Sequence, residues 1–306
     1  MDEQIKAVWD DIPCFSGKDI GSYTFERLGG LTNLVYRVVG PDDTVILRIP
    51  GEGTEAYIDR AVEAHNAQMA AEAGVSADVL YANAENGVMV FAFLDGCETM
   101  TPETFPSTPE AASRAGAVLR QLHNSGKIFE FRFELFTMID DYLGVLDKLG
   151  AELPDGYHDV VREAQGIRSA LDLKPAELAP CHCDPLCENF LDNGKRMWVV
   201  DWEYSGMNDP MWDLGDLSVE AGFSEAHDRE MMEAYYGGVP SDAQFGRMVI
   251  YKAMSDLLWT LWGLIQHAND NPADDFWAYA IGRFDRCKSL MADPTFSVHV
   301  DAIRNG

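Results

Sequence analysis

A chain of 306 residues, 47% hydrophobic and 24% charged, can bury a large core, and its length points to two domains or lobes. The 51 Asp and Glu outnumber the 23 Lys and Arg, a formal net charge of -28 that excludes a nucleic-acid surface or an anionic membrane as partner. Such a field favours a small cationic ligand, although solubility alone also accounts for it.

Six cysteines are too sparse for a disulfide scaffold, and Cys181, Cys183 and Cys187 around His182 lack the second ligand pair of a structural zinc site. The N-terminus M-D-E-Q-I-K-A-V-W-D-D-I carries no apolar export signal, and the longest uncharged apolar run, 257–269, is shorter than the ~20 residues that span a bilayer. A cytoplasmic protein with reduced thiols and no membrane insertion is expected.

In chain order, a helix is expected over 2–11, then strands over 23–27, 34–39 and 44–49, a meander punctuated by L-G-G-L-T-N and by Pro41-Asp42-Asp43. Gly29 and Gly30 permit positive φ and close approach of backbone N–H groups to a phosphate, with Thr32 and Asn33 placed to donate; the same residues also suit a plain hairpin turn. No G-K-[ST] follows, so this is not a Walker A loop. Arg48, near the end of the third strand, is suited to bidentate contact with a phosphate or carboxylate, or to simple exposure. A helix over 59–73 carries Glu63 in its first turn, either reaching back to Arg48 or solvated. Strands over 78–82 and 88–93 follow, the latter holding Phe91 and Phe93 and breaking at Leu94-Asp95-Gly96.

From residue 97 the pattern turns helical, with helices expected over 109–124, 137–149 and 159–173. Pro185 between Asp184 and Asn189 makes that segment a loop. A hairpin turning at Asn193-Gly194 then returns through the apolar run 197–200 to Asp201. Hard oxygen ligands on such rigid ends suit Mg²⁺. Asp209-Pro210 opens a helix with Asp213 at its head and Glu220 near its end. Ser241 caps a long helix on which Trp259 and Trp262 share one face; Phe276, Trp277 and Tyr279 fall on the last helix, with Arg283 one turn beyond. That aromatic stripe reads either as core or as a ligand cage.

The pattern H-x-D-x-x-x-x-N, hairpin, D resembles the catalytic and metal-binding segments of kinase-like phosphotransferases. H-C-D-P-L-C-E-N-F and V-D-W-E-Y-S-G-M-N-D-P-M-W-D-L resemble more closely the choline/ethanolamine kinase family, as do W-T-L-W-G-L-I-Q and A-Y-A-I-G-R-F. The resemblance implies a bilobal protein-kinase-like α+β fold, with a β-rich nucleotide lobe over 1–95 and a helical catalytic and substrate lobe over 96–306. It implies Asp184 as the group accepting the hydroxyl proton, and Asn189 and Asp201 as ligands of Mg²⁺. Arg48 falls where these folds grip the α- and β-phosphates of ATP, beside Gly29, Gly30, Thr32, Asn33, Glu63, Phe91 and Phe93, and the break at 94–96 becomes the hinge that reads adenine. His182 is assigned to bracing the loop and His123 to a structural role.

On the substrate side the resemblance gives Trp259, Trp262 and Tyr279 as rings and Glu220 as counter-charge, while V-E-A-G-F departs from the family's aromatic run and leaves Phe223 outside the set. A trimethylammonium group has no N–H donor, so ring faces and carboxylates must recognise it, each ring adding ~0.5–2 kcal/mol. The expected reaction moves the γ-phosphoryl of ATP to the hydroxyl of choline. Ethanolamine, thiamine, an aminoglycoside or a sugar are the alternative acceptors, and a non-catalytic amine or nucleotide binder is the alternative class.

Overall fold

In the computed structural model, which describes residues 3–29, 33–51 and 58–306, Asn33–Val39 (β2) and Thr44–Pro50 (β3) pair antiparallel with Val35 opposite Arg48. Their β-branched and aromatic residues suit a half-buried pleat. With Thr24–Arg27 (β1), Val79–Ala82 (β4) and Met89–Ala92 (β5) they form a five-stranded antiparallel sheet in the order β1-β2-β3-β5-β4. One small core is built here by the N-terminal segment: Ile5 and Trp9 of Glu3–Trp9 (α1), with Ile12 and Phe15, pack on Tyr36, Val38, Val45 and Leu47. Trp9 stacks on Phe15 with ring centroids 4.2 Å apart.

Arg60–Glu72 (α2) begins at Asp59, whose carboxylate accepts the N–H groups of Ala61 and Val62. Beyond Ala92 the chain leaves the sheet through Gly96, at φ +71°, and Glu98–Thr99 (β6) pairs with Phe190–Asp192 (β8), which in turn pairs with Met197–Val199 (β9). The sheet and the helical part are tied by polar contacts. Val199 N–H donates to the Val75 carbonyl at 2.8 Å, Trp202 Nε1 to Ser76 Oγ at 3.0 Å and Asn66 Nδ2 to the Ser205 carbonyl at 2.9 Å.

The second and larger core is helical: Ala111–His123 (α3), Leu135–Leu149 (α4), Tyr157–Leu173 (α5), Met211–Glu220 (α6), Glu225–Tyr236 (α7), Asp242–Ala268 (α8), Phe276–Ala292 (α9) and Phe296–Asn305 (α10). Between α5 and α6, Ala179–Cys181 (β7) and Gly206–Asn208 (β10) form a two-stranded antiparallel ladder. Helices α3 and α7 cross so closely that a Cβ on Gly116 would stand 2.1 Å from the Met231 carbonyl oxygen.

Helix α8 is the spine, opened by the expected Ser241 cap in a reciprocal capping box with Gln244. With 27 residues and a mean hydropathy of 1.2 in its most apolar window, it is long and apolar enough by length and composition to cross a bilayer, which the run 257–269 alone did not suggest. Of that window, 83% is buried by neighbouring helices, so its apolar faces already have partners.

Two further differences from expectation concern α7 and α10. Glu225–Tyr236 is charged and carries few apolar positions, yet Met231, Met232 and Tyr235 bury against α3. Helix α9 is not the last, because α10 follows with Phe296, Val300 and Ile303 at helical spacing on its buried side.

Candidate active site

The hairpin β8–β9 turns at Gly194, φ +77°, and at its open end Val200 N–H donates to the Asn189 carbonyl at 2.9 Å. Asn189, in the short 3₁₀ turn Cys187–Asn189, donates through Nδ2 to the Asp184 carbonyl at 3.0 Å, which leaves its side-chain oxygen for another partner. Asp184, Asn189 and Asp201 therefore gather at one end of one hairpin, as expected.

The loop carrying Asp184 is held from three directions. The Asp213 carboxylate at the head of α6 accepts the His182 N–H at 2.7 Å, the Cys183 N–H at 2.9 Å and His123 Nε2–H at 3.0 Å. Trp212 Nε1 donates to the Cys183 carbonyl at 2.9 Å. His182 Nε2–H donates to the Val200 carbonyl at 2.9 Å, linking the loop to the strand that delivers Asp201, and burial lowers its pKa. His123 is completed by the Tyr235 hydroxyl at 3.0 Å from Nδ1. His182 thus braces backbone directly, and His123 does so through Asp213. Cys183 at φ +67° and Asp201 at φ +69° sit in the left-handed region that non-glycine residues avoid, a cost of order 1–3 kcal/mol each that the surrounding bonds must offset.

Arg48, 4% exposed, is the hub between β3 and the hairpin. It pairs with Glu63 of α2, with Glu203 at 3.3 Å and with Asp201 at 3.6 Å. Burial opposes its charge, but Asp201, Glu63 and Glu203 override that and raise its pKa. Arg60 adds a second cation, 2.8 Å from Glu63 and 3.8 Å from Glu203. Glu63 is therefore paired, not solvated. Carboxylate oxygens of Glu63, Asp201 and Glu203 lie within 4.8 Å of one another, and Asp201 Oδ1 is buried without a hydrogen-bond partner. These hard oxygen donors fit a divalent cation such as Mg²⁺.

Rings cluster around Tyr279, on which the Asp184 charge acts. Trp259 and Trp262 lie edge to face at 6.4 Å, Tyr204 meets Trp259 at 5.6 Å, and Trp262 meets Tyr279 at 5.7 Å and Phe276 at 5.5 Å. The indole N–H groups are held as well: Trp262 Nε1 donates to the Tyr204 hydroxyl and Trp259 Nε1 to Asp216 Oδ2, each at 3.0 Å. Gly263 lets α9 approach, since a Cβ there would stand 2.7 Å from the Tyr279 ring. Burial first, then the negative field of Asp216, Glu220, Glu203 and Asp201, pushes the Asp184 carboxyl well above its usual range.

The remaining residues singled out in the sequence have these surroundings. Glu220 is ion-paired with Arg283, whose guanidinium lies 4.8 Å over the Tyr279 ring and 3.2 Å from Asp256. Asn33 Nδ2 donates to Glu203 at 2.9 Å, and the Gly29 carbonyl accepts from Arg27 at 3.3 Å; Gly30 and Thr32 lie outside the described residues. Phe91 on β5 packs against the helical core, whereas Arg37 stands 4.5 Å over the Phe93 ring. Phe223 packs on Phe105 at 5.4 Å, in the core.

Sequence reasoning assigned no role to Glu203, Tyr204 or Asp216, and named Phe276 only within the aromatic stripe. Glu203 and Tyr204 stand two and three residues beyond Asp201 in the quoted D-W-E-Y, and Asp216 lies one helical turn from Asp213 and from Glu220. Those spacings were the available signals.

Comparison with known proteins bears on this arrangement. Residues 24–244 match the model of the phosphotransferase enzyme family, APH. A crystal structure of a choline/ethanolamine kinase family protein from Mesorhizobium loti is 59% identical, covers 99% of each chain and superposes with a TM-score of 0.91. The choline kinase LicA of Streptococcus pneumoniae is 25% identical over 95% of this chain and 96% of its own, with a TM-score of 0.76, and carries the same bilobal kinase-like fold. Ethanolamine kinase 2 of Mus musculus is 27% identical over 80% of this chain and 69% of its own.

Proposed function

Because the chain belongs to the phosphotransferase enzyme family, and within it to the choline/ethanolamine kinase family, we propose that it moves the γ-phosphoryl group of ATP to the hydroxyl of a small cationic amino alcohol, choline foremost. The observation that carries the reading is the convergence of Asp184, Asn189 and Asp201 at the open end of one hairpin, between the Arg48 cluster and the ring cluster. Placed there, Asp184 orients the acceptor hydroxyl and takes its proton late, since phosphoryl transfer depends chiefly on positioning and charge stabilisation.

Asn189 and Asp201, with Glu203 alongside, are the residues that would hold Mg²⁺, which when bound supplies positive charge to the phosphate oxygens. Arg48, fixed by Glu63 and Glu203, has the position and charge to meet phosphates from β3. Trp259, Trp262 and Tyr279, joined by Tyr204 and Phe276, offer ring faces to a methylated ammonium. Glu220 acts on Tyr279 from beside the rings, its carboxylate held and partly offset by the ion pair with Arg283.

The test is ADP release from Mg·ATP by the purified protein in the presence of choline, ethanolamine, thiamine and an aminoglycoside. Choline is expected to give the highest kcat/KM. Tight binding of an amine with no accompanying ADP release would leave a non-catalytic binder in place of a kinase.

A further inference from the structure

Asp216 is 1% exposed, and its two carboxylate oxygens are treated unequally. Oδ2 accepts the indole N–H of Trp259 at 3.0 Å, while Oδ1 is buried without a hydrogen-bond partner. A buried carboxylate oxygen left unpaired is costly, and native structures keep few of them without a use. The side chain stands between the two halves of the site: on α6 one turn from Glu220, bonded to a ring of the cage, and close enough to Asp184 to be the leading charged contributor to its raised pKa. Arg283 attracts the carboxylate but makes no hydrogen bond to it, its guanidinium being committed to Glu220, to Asp256 and to the face of Tyr279.

We infer that Asp216 is a specificity-determining residue, its unpaired Oδ1 being the acceptor for an N–H of the substrate ammonium. The inference rests on the proposed function and refines it. Ring faces attract a cation whether or not it carries an N–H, whereas one free carboxylate oxygen adds a charge-assisted hydrogen bond only where an N–H is present. The pocket therefore carries both kinds of recognition, and Asp216 sets the weight given to ethanolamine and its mono- and dimethyl derivatives against choline. Asp216→Asn preserves volume and keeps an oxygen for the Trp259 N–H, but turns an amide donor where the acceptor was. A bound cation favours the ionised form of Asp216, so Asp216→Asn takes a negative charge from every cationic substrate; only those with an N–H also lose a charge-assisted hydrogen bond.

The experiment compares wild type, Asp216→Asn and Asp216→Ser across ethanolamine, N-methylethanolamine, N,N-dimethylethanolamine and choline. It measures steady-state kcat/KM with Mg·ATP and, separately, equilibrium binding of each amine by calorimetry without nucleotide. In both variants, kcat/KM and affinity for the three N–H substrates should fall about tenfold or more relative to choline, with the KM for ATP unchanged. Serine also offers an oxygen to the indole N–H, so one folded variant of the two suffices. Equal losses on all four amines, or unchanged ratios, would overturn the assignment. Absence of phosphorylation by wild type would remove the kinase reading, and the binding ratios would then decide on Asp216 by themselves.

Discussion

Arg48 on β3 and Glu203 beyond β9 stand 3.3 Å apart, an ion pair buried where the sheet meets the hairpin that carries Asp201. Removing one partner of a buried pair leaves the other charge uncompensated. Arg48→Met should lower unfolding free energy by about 3–5 kcal/mol and raise the KM for ATP, with Arg48→Lys recovering part of both. Urea unfolding and ATP titrations of the two variants check this. Unchanged stability in Arg48→Met would mean that Arg60 alone balances the carboxylates.

Asp184 is proposed to act on the acceptor hydroxyl and not on the nucleotide. Asp184→Ala should therefore reduce kcat at least ~100-fold while nucleotide affinity stays near wild type. Single-turnover phosphoryl transfer and nucleotide binding, measured side by side, separate the two. Near-normal turnover would take the base assignment away from Asp184.

Trp259 and Trp262 are proposed as ring faces for the substrate ammonium. Alanine at either position should raise the choline KM far more than the ATP KM, each ring being worth ~0.5–2 kcal/mol. A parallel rise in both constants would point to packing as the role of the pair.

Burial, then the neighbouring Glu220, pushes the Asp216 carboxyl up to about 8, against the pull of Arg283 and of the Trp259 hydrogen bond. Between its ordinary value near 3.8 and about 8, the folded chain keeps a proton that the unfolded chain has lost. This contribution to stability is complete below the lower value and disappears as pH rises through the upper one. The ligand-free protein should accordingly lose thermal stability between pH 5.5 and 8.5, and Asp216→Asn should lose less over the same interval. Identical slopes in the two proteins would show that Asp216 does not contribute.

Gly116→Ala tests the helix crossing independently of the site. Its methyl would stand 2.1 Å from the Met231 carbonyl oxygen, a backbone atom that cannot swing aside. A loss of about 1–3 kcal/mol or more is expected, with KM values of the surviving folded enzyme unchanged. Calorimetric Tm and low-temperature kinetics supply the two readouts.

Much of the site was legible because its parts are local. Asp184, Pro185 and Asn189 share one loop, Asp201 follows one strand, and Trp259 and Trp262 share one helix face; short-range geometry sufficed to bring each set together. The partners that arrive from elsewhere were not legible. Nothing near Glu220 in the chain announces Arg283, and nothing near Asp216 announces the Trp259 indole. Helix α7 escaped notice for a related reason, since its charged stretch commits Met231 and Met232 to the core only where α3 is there to meet them.

By itself, then, the sequence determined the strand meander, the hairpin with its three oxygen-bearing side chains, the capped spine helix and the family, all of which depend on residue type and near-neighbour spacing. The tertiary structure alone decided which buried charges are matched: Arg48 with Glu63, Glu203 and Asp201, Arg283 with Glu220 and Asp256, and Asp216 with one of its oxygens left over. Pairing is a property of distance and burial, both set by packing between segments far apart in the chain, and in a buried site those distances determine which charges face a substrate.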